Sequence, residues 1–212
     1  MYQPVHLLMI VKELFPRFHP ELIEEINTHG IIKELPAQTE LLREGQYAKV
    51  IPIVIEGLVK VYSRYGDREL LLYYIHPAES CIISFSSGIS QLPSRGYAIT
   101  ETAATLLLLP VENVQLWLKT YPALNTLFFK NYDARYLDMM NAVNHLLFDK
   151  MDTRILDYLK EKTRVTSSQI LHITHKEIAT DLGTAREVVS RILKKLEAEN
   201  HIAQEGRTIK IK

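Results

Sequence analysis

Arg186, Glu187, Ser190 and Arg191 are spaced to form one polar stripe along a helix. Their types suit the edges of base pairs. Arginine can bond guanine O6 and N7 in a bidentate fork, glutamate can accept from cytosine N4, and serine can bond a base or a phosphate. Lys194 and Lys195 follow further along, and with Thr174 and Thr184 upstream they suit phosphate oxygens. A solvated charged helix face would carry the same residue types, so the surrounding elements must decide between the two readings.

Those elements are in order. Thr174 to Gly183 reads as a capped helix, with Glu177 three residues after Thr174 completing a capping box. Ile178, Ala179 and Leu182 supply its buried face, and Gly183 ends it as a left-handed residue would. Thr184 is expected to cap a second helix over about residues 185–200, whose apolar face is Val188, Val189, Ile192, Leu193 and Leu196. A small alanine in the first helix, glycine at the turn and a second helix free on its polar side make a helix-turn-helix. After it, residues 202–204, a turn at 205–207 and residues 208–211 read as a two-stranded wing.

Upstream, apolar positions at helical spacing, broken at Pro16 and Pro20, predict two short helices over residues 4–29. From Ile31 to Leu109, short β-rich runs alternate with turn residues. They are 31–35, 39–42, 50–55, 58–63, 69–75, 80–85, 97–102 and 105–109. Glycine-marked corners at Glu56-Gly57 and Gly66-Asp67 predict a small antiparallel sandwich or barrel. A short helix follows over 110–119, then a long one over 123–148 with apolar residues at steps of three and four: Leu124, Phe128, Tyr132, Tyr136, Met139, Val143 and Leu146. At about 25 residues it would be roughly 38 Å long. It is either a core helix of the chain or a helix that also pairs with its copy in a dimer. Residues 149–153 break the pattern as a hinge, 154–162 form another amphipathic helix, and 163–169 a polar loop.

Composition removes other classes. The 212 residues are 47% hydrophobic, which excludes a disordered chain. One cysteine, Cys81, excludes an intrachain disulfide, a four-cysteine zinc site and a cysteine-held iron–sulfur cluster. The run Leu7 to Val11 is too short for a signal-peptide core and no apolar run approaches a membrane span, so the expectation is a cytoplasmic protein with no membrane partner. A cupin-like enzyme would need histidines on adjacent strands, and residues 31–109 hold His76 alone. No nucleophile elbow, P-loop or dinucleotide fingerprint is present, so the expectation is not an enzyme.

The stretch 185–193, followed by Leu196-Glu197 and Ile202, strongly resembles the DNA-binding motif of the Crp/Fnr family of bacterial transcription regulators. Glu44-Gly45, Glu56-Gly57 and the His76-Pro77-Ala78 corner match the corners of the cyclic-nucleotide-binding-type β-roll. The long helix and the hinge match in order, so the resemblance covers nearly the whole chain. It implies an α+β architecture: a double-stranded β-helix (β-roll) sensor-like domain at 1–122, a long dimerisation helix at 123–148 and a winged helix-turn-helix at 149–212. It also implies Arg186, Glu187 and Arg191 as base readers, with Ser190 matching the Fnr-like branch, on inverted repeats whose half-sites contain a TGA core. A homodimer would set two recognition helices about 34 Å apart. The loop at 163–169 lies where the family's activators touch RNA polymerase.

On the effector side the sequence departs from the cyclic-AMP pattern. Nucleotide-binding members carry a Gly-Glu pair where this chain has Cys81-Ile82-Ile83-Ser84-Phe85, and Arg95 is the one arginine nearby for a phosphate. Cyclic AMP is therefore not expected, no cofactor or metal is predicted, and the controlling signal is open between another small molecule and a partner protein. Cys81 reads as a small buried hydrophobe rather than a redox sensor. His76 as a haem ligand, and His172 with His175 as a metal pair, lack further ligands.

The total of 25 Lys/Arg against 25 Asp/Glu hides a split. Residues 1–148 hold 12 basic and 15 acidic side chains, and residues 149–212 hold 13 and 10. The imbalance is mild, so attraction to DNA must come from local placement of Arg186, Arg191, Lys194 and Lys195.

Overall fold

Pro16 and Pro20 divide the N-terminal apolar segment into α1 (Pro4–Leu14) and α2 (Pro20–His29). Proline opens the second helix, where its missing N–H costs nothing. The computed structural model describes residues 4–66, 68–148, 150–206 and 208–212. They form two units, residues 1–63 with 72–139, and residues 64–71 with 140–212.

The first unit is built on strands β1 (Ile31–Leu35), β2 (Glu40–Leu42), β3 (Val50–Glu56), β4 (Val59–Tyr65), β5 (Arg68–Ile75), β6 (Tyr97–Thr100) and β7 (Ala104–Pro110), the end of β4 and the start of β5 belonging to the second unit. They make two sheets, ordered β1–β7–β3 and β2–β6–β4–β5. The four leucines 106–109 show how the layers stack. Leu106 belongs to a core with Leu42, Val54, Val59, Val61 and Tyr73. Leu107 and Leu109 belong to another, with Ile51, Ile53 and residues from the helices. A strand buried on both faces has no solvent side and reads as an unbroken apolar run. Gly57 turns the β3–β4 corner at φ +90°, and a Cβ there would stand 2.3 Å from the Ala103 carbonyl oxygen, so no other residue fits.

Residues 80–85, expected as a strand, form instead the start of helix α3 (Ile82–Ser90), with Ser80 making an isolated bridge to Ile53. Ile82-Ile83 favours a strand locally, but the buried residues Ile82, Ser84, Ser87 and Gly88 face inward at helical spacing. Gly88 lets α3 approach the next helix: a Cβ there would lie 2.5 Å from Val111 Cγ2. Helices α4 (Val111–Thr120) and α5 (Pro122–Phe148) complete the run. The start of α5 lies in the core through Leu124 and Phe128. It is pinned by Asn131, whose Oδ1 accepts the Ser80 backbone N–H at 2.7 Å while its Nδ2 donates to the Leu127 carbonyl at 2.8 Å.

The second unit contains α6 (Met151–Thr166), β8 (Ile170–His172), α7 (His175–Asp181), α8 (Arg186–Ala198), β9 (Ile202–Glu205) and β10 (Thr208–Ile211). Two expectations change here. The polar loop at 163–169 is largely the last turn of α6, which ends at Ser167 in the left-handed conformation. The wing is three-stranded, ordered β8–β10–β9, because residues 170–172 pair with β10 through Leu171 and Ile209. Asp149, at the start of the expected hinge, lies outside the described residues.

Candidate nucleic-acid interface

Helix α8 is held from below by apolar contact. Val189, Ile192, Leu193 and Leu196 are buried with Ile178 and Ala179 of α7, Ile155, Tyr158 and Leu159 of α6, and Leu171, Ile202 and Ile209 of the sheet. Each such side chain contributes about 1.5–3 kcal/mol on burial. Polar contacts fix the helices against each other. Tyr158 Oη donates to Asp181 Oδ2 at 2.6 Å, Lys162 Nζ pairs with Glu177 at 2.8 Å, and Arg154 donates to the Leu182 carbonyl at 3.0 Å.

Thr174 caps α7, its hydroxyl oxygen accepting the Glu177 N–H at 3.1 Å. The Glu177 carboxylate pairs with Lys162. Gly183 has φ +63° at the turn. Thr184 does not cap α8. That position falls to Ala185, which has no capping side chain, and the Thr184 backbone N–H donates to Ala179 O at 2.9 Å instead. A helix start lacking a side-chain cap leaves N–H groups for an outside acceptor such as phosphate.

Above this scaffold, Arg186, Glu187, Arg191 and Lys194 are exposed and Ser190 is half-buried. Among the described residues, Arg186, Arg191 and Lys194 enter no salt bridge. The Lys195 ammonium lies 2.6 Å from Asp152 Oδ2 and 3.8 Å from Glu199, so a phosphate there would compete with two carboxylates. The hydrogen bond to Lys195 holds the Asp152 carboxyl below its ordinary range, and the same bond raises Lys195.

His175 has a place that its sequence context did not suggest. Its Nδ1 is 2.8 Å from Ser190 Oγ and its Nε2 3.3 Å from Gln204 Oε1. His172 is turned to Thr208, 3.4 Å away, so the two histidines engage different partners. The signal was the first position of α7 facing the second turn of α8, which depends on the crossing of two helices and not on spacing within either.

In the first unit, a cleft of about 470 Å³ is lined by apolar residues such as Leu41, Val50, Leu106 and Leu108, with Lys33, Glu40, Gln46 and Lys49 among its polar groups. Arg95 is exposed and does not line it. Cys81 is buried and burial pushes its thiol pKa up, as for a packing residue rather than a reactive one. Helix α5 also requires a correction. Leu124 and Phe128, expected on the pairing stripe, are 0% and 2% exposed within the chain's own core. The exposed apolar residues of α5 include Phe129, Tyr132, Tyr136, Met139 and Val143, at steps of three and four, with Leu137 and Met140 exposed beside them. The side chain of Leu146 lies outside the described residues. Among the described residues no helix is long and apolar enough to cross a membrane.

Residues 153–212 match the family model of the Crp-like helix-turn-helix domain. The fold is shared with solved structures of transcriptional regulators. One described as a Crp/Fnr-family regulator from Eubacterium rectale is 22% identical, with 93% of this chain and 92% of that one covered and a TM-score of 0.84. The c-di-GMP-responsive global regulator CLP of Xanthomonas campestris is 23% identical over 91% and 99%, with a TM-score of 0.79. A Crp/Fnr-family regulator of Thermus thermophilus is 19% identical over 86% and 93%, with a TM-score of 0.67. No curated protein sequence matches the chain.

Proposed function

We propose that this chain, which carries a Crp-like helix-turn-helix domain within a Crp/Fnr-type fold, is a transcription regulator that binds an inverted-repeat operator as a homodimer. The observation that carries the reading is α8: apolar contact fixes its inner side, while Arg186, Glu187 and Arg191 stand exposed on its first two turns. Such a face has base-edge chemistry and a rigid support. Thr174, Thr184 and Lys194 are its phosphate contacts. Arg186, Glu187, Ser190 and Arg191 are its base readers.

The exposed stripe Phe129, Tyr132, Tyr136, Met139 and Val143 supports pairing of α5 with its copy, since a three-and-four spacing is that of a two-stranded helical seam. The cleft in the first unit, largely apolar with a few polar groups such as Lys33, Glu40, Gln46 and Lys49, supports a small-molecule effector over a partner protein. Cyclic AMP is disfavoured by Ile82 and Ile83 on α3 and by the outward position of Arg95.

Selection from random DNA by the purified protein, with and without cell-extract metabolites, tests the reading. A two-fold symmetric enriched site is expected. Enrichment of an asymmetric site, or none above non-specific binding under either condition, rejects it.

A further inference from the structure

We propose that His175 is a positioning residue for base recognition: it fixes the hydroxyl hydrogen of Ser190 inside the protein, so that Ser190 offers DNA acceptor lone pairs alone. The inference rests on Ser190 being a base reader.

The argument begins at Glu197. Its two carboxylate oxygens accept the Gln204 backbone N–H at 2.8 Å and the Gln204 side-chain amide at 3.1 Å. Turning that amide over would set its oxygen against the carboxylate, so Gln204 Oε1 faces away from Glu197. The group it meets is His175 Nε2, at 3.3 Å. An amide oxygen there requires a hydrogen on Nε2. A neutral imidazole has one hydrogen, so Nδ1 is bare and accepts. The group within reach of Nδ1 is Ser190 Oγ, at 2.8 Å.

Ser190 has one hydrogen and two internal acceptors for it, His175 Nδ1 and the Arg186 carbonyl at 3.0 Å. The shorter of the two contacts is to His175 Nδ1, so the hydrogen is used within the protein and a lone pair faces outward. A serine on an ordinary helix face bonds acceptors or donors alike. Here it selects a donor, the exocyclic amino group of adenine or cytosine in the major groove. The same chain of bonds, from Ser190 through His175 and Gln204 to Glu197, joins the recognition helix to β9 of the wing.

The test uses the full chain and operator duplexes carrying each base pair at each half-site position. Ser190→Ala should flatten the preference at one position, and replacing the preferred base by an analogue lacking its amino group should abolish the difference between Ser190→Ala and the parent. His175→Ala leaves the longer contact to the Arg186 carbonyl, from which the hydroxyl can turn toward DNA, and should lower the preference at that position at least about five-fold, within the range a base contact commands, leaving the positions read by Arg186 and Arg191 unchanged. The double variant should discriminate no worse than Ser190→Ala. His175→Asn, whose Oδ1 can stand in for Nδ1 as acceptor, should retain most of the preference and guards against a folding artefact. A His175→Ala protein with the parent's preference at the position that Ser190→Ala flattens overturns the role of His175 while leaving Ser190 a base reader. A Ser190→Ala protein unchanged at every position removes the base-reader reading, and this inference with it.

Discussion

Asn131 should matter more to the first unit than its polarity suggests, and Ser80, its partner, less. Asn131 is 8% exposed and its Oδ1 accepts the Ser80 backbone N–H at 2.7 Å. Asn131→Ala removes the acceptor and leaves that N–H buried without a partner. An orphaned buried amide costs about 1–3 kcal/mol, and the lost side-chain contacts bring the expected destabilisation to about 2–4 kcal/mol. Ser80→Ala keeps the N–H and its acceptor and deletes a hydroxyl that is buried without a hydrogen-bond partner. Removing an unpaired buried hydroxyl relieves its desolvation penalty, so the change should be neutral or stabilising by up to about 1 kcal/mol. Trp117, the single tryptophan, is buried in the core beside α5, so its fluorescence in a urea titration follows this unit without interference from the other. An Asn131→Ala protein within about 0.5 kcal/mol of the parent, or a Ser80→Ala protein less stable than Asn131→Ala, would refute the reasoning.

Other expectations follow from exposure and pairing. Arg186→Ala and Arg191→Ala should each lose about 1–3 kcal/mol of base discrimination in a competition assay. Their melting temperatures should stay at the parent's, because both side chains are exposed and unpaired among the described residues. Asp152→Asn should free the Lys195 ammonium and steepen the salt dependence of DNA binding by about one unit of slope, read from binding across salt concentrations. Because the Asp152 carboxyl is held low in the folded state, its contribution to stability is present above the ordinary carboxylate range and is lost as pH falls through the lowered value. The Asp152→Asn protein should lack that acid-side loss in unfolding measured from neutral to low pH. Tyr136→Glu, placed in the middle of the exposed stripe on α5, should give monomers by light scattering with the helical signal of the chain retained; an unchanged dimer would move the interface elsewhere.

The helix-turn-helix was legible because its signals are local. Thr174 caps a helix three residues before Glu177, Gly183 takes the turn, and Val189, Ile192, Leu193 and Leu196 repeat on one face. The barrel corners were legible for the same reason, Gly57 being confined by backbone on the neighbouring strand. What the sequence concealed was set by distant contacts. Ile82-Ile83 has strand propensity, and packing against β3 and Val111 makes it helical. Phe128 and Phe129 are adjacent and equally apolar. Which one faces the core depends on where Asn131 is anchored, three residues from the first and two from the second. Lys195 shows its carboxylate partner after Asp152, 43 residues earlier, is brought to it. His175 likewise shows its neighbours after α7 and α8 cross and the wing folds back.

The strand order β8–β10–β9 bears on how this part of the chain is made. The middle strand is the last of the three to be synthesised, and it supplies both pairings of the sheet. Until β10 is in place, Leu171 and Ile202 lack their cross-strand partners Ile209 and Ile211, although α7 and α8 are already complete. A nascent chain stopped anywhere before residue 208 would thus hold a finished α8 on an open core. Such a chain is prone to association through its apolar surface.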